Sequence, residues 1–200
     1  MFDVMLRRRI DPALYHIATF ANAAGLSANA LTLTGAGIAI GVGLAIAQGY
    51  FTLAIILIAA NRILDGIDGA VARINGPTAF GGYLDSLADY IFYVAVPLGF
   101  AWADPSNMLP ALFLLASFIL TAVSFLAYAA IAAQIGQLET DHGPKAFQYS
   151  SGLIEGGETI LCFALMAIWP GNFGIIAYIL AILCIATVGQ RLLMAARTLR

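Results

Sequence analysis

The chain has 200 residues, 62% of them hydrophobic and only 10% charged, with a formal net charge of −2. A mean hydropathy of +0.91 is well outside the range of a water-soluble domain of this length. With nine basic residues against eleven acidic ones, no nucleic acid is expected as a partner. The composition implies an all-α integral membrane protein, read as a single domain over 1–200 with a juxtamembrane helix in 1–24 and a six-helix bundle in 28–193.

The segment 2–20 mixes Arg7, Arg8, Arg9, Asp3 and Asp11 with Phe, Met, Leu and Tyr. It is too polar to span and suited to lie flat, so it reads as an interfacial amphipathic helix broken near Pro12; the other reading is a basic tail that only sets topology. No short charged region followed by a small-residue cleavage site precedes it, and the first span is expected to act as the insertion signal. Six apolar stretches follow, at 28–48, 51–73, 79–102, 109–133, 147–169 and 173–193. Each is long enough to cross a hydrocarbon core of ~30 Å at ~1.5 Å per residue. Gly49 and Tyr50, Asn75-Gly76-Pro77, Asp104-Pro105-Ser106, residues 136–143 and Trp169-Pro170-Gly171 supply the connections.

Apart from Arg62, every basic residue falls on one side of this arrangement: Arg7, Arg8 and Arg9 before the first span, Arg73 and Lys145 in alternate connections, and Arg191, Arg197 and Arg200 at the end. By the positive-inside rule that side is cytoplasmic, as are both termini. Small residues recur at Gly35, Ala39 and Gly43 and permit close helix packing. Trp102, Trp169 and Phe173 fit an aromatic belt near the uncharged loops. Cys162 and Cys184 lie in apolar runs and read as small hydrophobes.

Four aspartates, Asp65, Asp68, Asp85 and Asp89, fall within this apolar background. Buried carboxylates are costly unless compensated, and a divalent metal compensates several at once. On a helix Asp65, Asp68 and Ala72 form one stripe, with Gly69 beside it; Gly81, Asp85 and Asp89 form another on the next helix. Both pairs lie roughly 8–15 Å from the cytoplasmic helix ends, at one level. All-oxygen ligands favour Mg2+ or Mn2+, and four carboxylates suffice for two ions. Two-metal sites suit phosphoryl displacement. Gly69 and Gly81 leave room for a phosphate against the backbone, and Arg73 is placed to pair with it. From spacing alone, charge partners within a bundle or the relay of an ion-coupled transporter remain open.

From Asp65 the sequence reads D-G-I-D-G-A-V-A-R, then seven residues, then G-G-Y-L-D-S-L-A-D. It resembles the signature of the CDP-alcohol phosphotransferase family, D-x2-D-G-x2-A-R-x7 or 8-G-x3-D-x3-D, at every fixed position. The resemblance covers the whole chain, since family members have a cytoplasmic juxtamembrane helix followed by six spans. It implies transfer of a phosphatidyl group from a CDP-linked donor, usually CDP-diacylglycerol, to an alcohol with release of CMP, as part of phospholipid synthesis.

Carried onto this chain, the resemblance assigns Asp65, Asp68, Asp85 and Asp89 to the metals and makes Asp89 the general base. It assigns Asp68, Gly69, Ala72 and Arg73 to the cytidine nucleotide, with Gly66 and Gly81 close, and a homodimer is expected by the same resemblance. Ser27-Ala28-Asn29-Ala30-Leu31-Thr32 resembles the family's entry into the first span, so Asn29 and Thr32 are candidates for the nucleotide pocket; Ser27 and Asn29 are equally ordinary helix-capping types.

Arg62, inside the second span, needs a partner, most simply an acidic one. The family's later spans build the acceptor pocket, which makes Glu155, Glu158, Lys145, His142 and Arg191 the acceptor candidates; Lys145 and His142 also suit a solvated loop. The chain looks most like a bacterial branch of the family whose acceptor is unassigned. Unlike the phosphatidylinositol-phosphate and phosphatidylglycerophosphate synthases, it lacks an obvious basic cluster for an acceptor phosphate. Its expected setting is the bacterial inner membrane, with the site facing the cytoplasm.

Overall fold

The computed structural model describes residues 14–135 and 152–199, and it is helical throughout, with no strand among the described residues. In chain order the helices are α1 (14–23), α2 (Ala28–Ala47), α3 (Phe51–Asn75), α4 (Ala79–Ala103), α5 (Met108–Gln134), α6 (Gly156–Ile168) and α7 (Phe173–Thr198), with short 3-10 turns at Pro105–Asn107 and Pro170–Asn172. Of the interfacial helix expected at 2–20, residues 2–13 lie outside the described residues. In the described part, Ala18 and Ala21 are buried while Tyr15, Ile17 and Phe20 are exposed.

Four helical stretches are long and apolar enough to cross a membrane: Ala28–Ala47, Ala79–Ala103, Pro105–Gln134 and Pro170–Thr198. The expected count is six, and the other two segments differ for separate reasons. The 25 residues of α3 give ample length, but Arg62, Asp65, Asp68 and Arg73 dilute its apolar character. For α6, the expected start at 147 lies outside the described residues. Positions 152–155 are non-helical, because Glu155 and Glu158 form a capping box that starts the helix at Gly156. The resulting 13-residue helix is about 20 Å long, short of a full span.

Packing centres on α2, which lies against both α3 and α4, while α5 packs on α7 and α4, and α6 bears on α3 and α7. Among the described residues α3 and α4 make little direct backbone contact; each is held mainly through α2, and the carboxylates face into the space between them. Small residues permit this. A Cβ on Gly43 would meet the Ala95 carbonyl oxygen at 2.6 Å, and one on Gly99 would meet the Gly43 carbonyl oxygen at 2.5 Å. The backbones of α2 and α4 therefore cross where only glycine fits.

Two apolar clusters hold the bundle together. The larger includes Val42, Ile46, Phe92, Val96, Phe100, Leu114, Phe163, Met166, Phe173 and Leu180. Phe100 stacks on Phe173 with centroids 4.3 Å apart and on Phe51 at 6.0 Å. The smaller joins α1 to α2 and α3 through Ala18, Ala21, Leu31, Ile67, Ala70 and Val71. Gly66 belongs to that contact: a Cβ there would come within 2.9 Å of Leu14 Cδ1. Its missing side chain thus lets α1 lie close on α3. Cys162 and Cys184 are free thiols, and Cys184 is part of the larger core.

Candidate active site

Periodicity sets the site's first level. Asp65 and Asp68 lie one turn apart on α3, as do Asp85 and Asp89 on α4. The fold then brings Asp65, Asp68 and Asp85 together, with one carboxylate oxygen from each within 4.8 Å of the others. Asp68 is buried, Asp65 half-buried and Asp85 exposed, so the cluster opens from the helix interior toward its surroundings. Oxygens this close repel one another as anions and are spaced to be bridged by a hard cation. The residues therefore fit a divalent ion of the Mg2+ or Mn2+ type.

Asp89 does not belong to that cluster. Its Oδ1 receives Arg62, with Nη1 at 3.3 Å and Nη2 at 3.4 Å. Arg62 Nη1 also lies 3.7 Å from Asp65 Oδ2, so the guanidinium bridges the cluster and the fourth carboxylate. The acidic partner that Arg62 required is thus found twice.

Helix α2 completes the inner wall. Thr32 donates its hydroxyl to Asp68 Oδ2 at 2.7 Å, which orients that carboxylate and compensates part of its burial. Asn29, one turn earlier, approaches the first turn of α4, where a Cβ on Gly81 would lie 3.3 Å from Asn29 Oδ1. Capping is done by others: Ser27 Oγ accepts from Ala30 N at 3.2 Å, and Thr78 Oγ1 accepts from Gly81 N at 3.0 Å. Ser27 therefore takes the cap, and the Asn29 side chain lies beside Gly81.

Arg73 folds back toward Gly69, where a Cβ would meet its Nη1 at 3.4 Å. Ala72 is half-buried and Arg73 exposed, so the stripe ends at an open cationic mouth. Gly66 is placed against α1, its bare face taken by Leu14.

Among the acceptor candidates, Arg191 lies within electrostatic reach of Glu155 and of Tyr90, the neighbour of Asp89. Glu155 N donates to Glu158 Oε2 at 3.1 Å, so both glutamates take part in the capping box of α6. Gly156, next to them, is approached by Tyr93, whose Oη would lie 3.4 Å from a Cβ there; Tyr93 stands one turn past Asp89 on α4. Arg191 Nη1 donates to the Thr121 carbonyl at 3.1 Å and to Ser124 Oγ at 3.4 Å, and its guanidinium lies over Phe125. Lys145 and His142 lie outside the described residues. Sequence reasoning missed Asn61, which is 4% exposed and holds Arg62 from behind; a polar Asn-Arg pair in an apolar run was the available signal.

The CDP-alcohol phosphatidyltransferase family matches residues 26–193. The chain belongs to this family. It is therefore a membrane transferase of phospholipid biosynthesis, and the ion-coupled transporter reading is set aside. Among the relatives of this CDP-alcohol phosphatidyltransferase is the inner membrane protein YnjF of Escherichia coli (strain K12), 40% identical over 192 residues, covering 96% of this chain and 93% of that protein. The archaetidylinositol phosphate synthase of Methanothermobacter thermautotrophicus is 39% identical over 103 residues, 49% of each protein. In structure, the chain resembles the Mycobacterium tuberculosis phosphatidylinositol phosphate synthase. The apo form gives a TM-score of 0.68 at 21% identity, covering 90% of this chain and 94% of that one. The CDP-diacylglycerol-bound form gives 0.66 at 23% identity, covering 90% and 92%. A manganese and citrate complex of the same enzyme gives 0.66 at 21% identity, covering 92% and 88%. At these identities the likeness is one of fold.

Proposed function

We propose that this phosphatidyltransferase moves the phosphatidyl group of CDP-diacylglycerol onto an alcohol and releases CMP. The observation that carries the reading is the convergence of Asp65, Asp68 and Asp85 with Asp89 one turn beyond Asp85, inside a helix pair that also supplies Gly69, Arg73 and Gly81. Asp65, Asp68 and Asp85 would hold the divalent metal, Mg2+ or Mn2+. When bound, it would neutralise the pyrophosphate and the charge that develops on the departing CMP. The two-ion arrangement implied by the family resemblance requires Asp89 to turn from Arg62 toward the cluster. The manganese complex of the structural neighbour supports a divalent ion in this fold.

Asn29, Thr32, Asp68, Gly69, Ala72, Arg73 and Gly81 form the proposed nucleotide pocket, with Gly66 close by. Arg73 pairs with a phosphate at the mouth, and the glycines let the diphosphate lie against the backbone. The acceptor hydroxyl oxygen attacks the phosphorus that carries the diacylglycerol. The bond from that phosphorus to the bridging oxygen breaks, CMP leaves with the electron pair, and the hydroxyl proton passes to the Asp89 carboxylate. Glu155, Glu158, Arg191 and Lys145 remain the acceptor candidates, with Tyr93 lying between Asp89 and α6.

The same reading puts the enzyme in a bacterial inner membrane as a homodimer, with six spans once α3 and the segment bearing α6 are counted, an interfacial N-terminal helix, and termini and site on the cytoplasmic side. The distribution of basic residues supports that orientation. The test is CMP release by purified protein in detergent with CDP-diacylglycerol and Mg2+ or Mn2+, across inositol phosphate, glycerol phosphate, serine and phosphatidylglycerol, beside Asp85→Asn. Metal-dependent release with one acceptor, lost in the variant, establishes the reaction and names the product. CDP-lipid binding without release on any acceptor would sink this acceptor class, and no binding at all would sink the donor.

A further inference from the structure

Tyr93 carries a hydroxyl that the packing around it does not use. Its ring is fixed in an aromatic cluster, with centroids 5.5 Å from Phe118, 5.8 Å from Tyr90, 6.1 Å from Phe163 and 6.4 Å from Phe92. Phe92 and Phe163 are fully buried and Phe118 nearly so. A phenylalanine would satisfy such a setting, and a hydroxyl among apolar rings costs free energy unless it finds a partner. Among the described residues the Tyr93 hydroxyl makes no hydrogen bond, and its oxygen is not one of the sealed polar atoms. It therefore faces an open space, with its position set by the ring.

That space adjoins the reaction centre. Tyr93 stands one turn past Asp89 on the same face of α4, ~6 Å further along the axis, and Asp89 is within electrostatic reach of its hydroxyl. On the other side its Oη lies 3.4 Å from where a Cβ on Gly156 would stand, and Gly156 opens α6. A side chain there would crowd the hydroxyl, so the glycine keeps the approach clear. Nearby, Arg191 and Glu155 are opposite in charge and within reach of each other. They offset one another and leave little net field for selecting an ion, whereas a neutral phenol both donates and accepts.

We propose that Tyr93 is a specificity-determining residue for the acceptor: its hydroxyl hydrogen-bonds a second hydroxyl of a polyhydroxy alcohol whose first hydroxyl is set against Asp89. The inference deepens the transferase reading and rests on it. A rigid partner for the second hydroxyl orients the first for attack, and an alcohol that lacks it leaves the phenol unpaired in the complex.

The experiment measures CMP release by wild type and Tyr93→Phe with CDP-diacylglycerol and Mn2+. The acceptors are glycerol and inositol, each free and phosphorylated, and the single-hydroxyl acceptors serine and ethanolamine. Wild type should favour one of the polyols. For that polyol Tyr93→Phe should raise the acceptor KM about threefold to tenfold, as loss of one neutral hydrogen bond does. KM for CDP-diacylglycerol should change little, and the melting temperature should be no lower. An analogue of the polyol lacking the neighbouring hydroxyl should be a poor acceptor for wild type, while Tyr93→Phe should treat the two alike; a tyrosine that only packs would leave that preference untouched. An unchanged acceptor KM in Tyr93→Phe overturns the proposal, as does a wild type that prefers serine or ethanolamine. A protein that binds CDP-diacylglycerol but transfers to nothing speaks against the transferase reading alone. Calorimetric titration of the same polyols into the CDP-lipid complex then decides the role of Tyr93, with weaker binding by Tyr93→Phe supporting the contact and equal binding removing it.

Discussion

Thr32 and Asp68 meet across 36 positions of sequence at 2.7 Å, and that bond orients a carboxylate of the three-aspartate cluster. Thr32→Val keeps the shape and removes the donor. Loss of an orienting partner behind a metal ligand costs on the order of 10-fold to 100-fold in affinity, so Mn2+ titration of this variant should give a correspondingly weaker constant with the fold intact. Asp89→Asn is expected to abolish transfer while thermal stability and CDP-lipid binding stay near wild type; CMP release at the wild-type rate would remove Asp89 from the base role. The aspartate stripes were legible because helical periodicity alone puts i, i+3 and i+4 on one face. Asn61 was not, because an amide in an apolar run announces neither its acceptor nor the arginine it steadies.

Among the elements, the crossing of α2 and α4 is the contact most sensitive to volume. Gly43→Val would drive a side chain into the Ala95 carbonyl, and overpacking of this kind costs about 1–3 kcal/mol. A clear drop in melting temperature in detergent is expected, or loss of folded protein. A Cβ added at Gly37 would meet nothing within 4 Å, so Gly37→Ala should melt at or slightly above the wild-type temperature, because alanine is the better helix former. The small-residue stripe was visible in sequence as a packing surface. Which partner it met was not, and neither was the way the missing side chain of Gly66 lets α1 seat on α3. The fifth segment was read from 147; residues 147–151 lie outside the described ones, and among the described residues the helix begins at Gly156, where Glu155 and Glu158 satisfy its first amides.

At the scale of the whole molecule, α3 and α4 touch little and are held through α2, yet they share the carboxylate cluster. A divalent ion bound there would tie the two helices together directly. At about 100 times its dissociation constant, a ligand specific to the folded state contributes about 2.7 kcal/mol. Thermal melts should therefore shift upward with Mn2+, return with EDTA, and show no shift in Asp68→Asn.

Composition determined the membrane class, and residue spacing determined the helices, their carboxylate faces and the eight-residue signature of the family, because each of these is a local property of the chain. Tertiary structure decided how the four aspartates divide, with three gathered and Asp89 drawn aside by Arg62. That division depends on contacts from Gly35 to Asp89 across three helices. Periodicity assigns a side chain to a face of its own helix, but it carries no information about which neighbouring helix that face will meet.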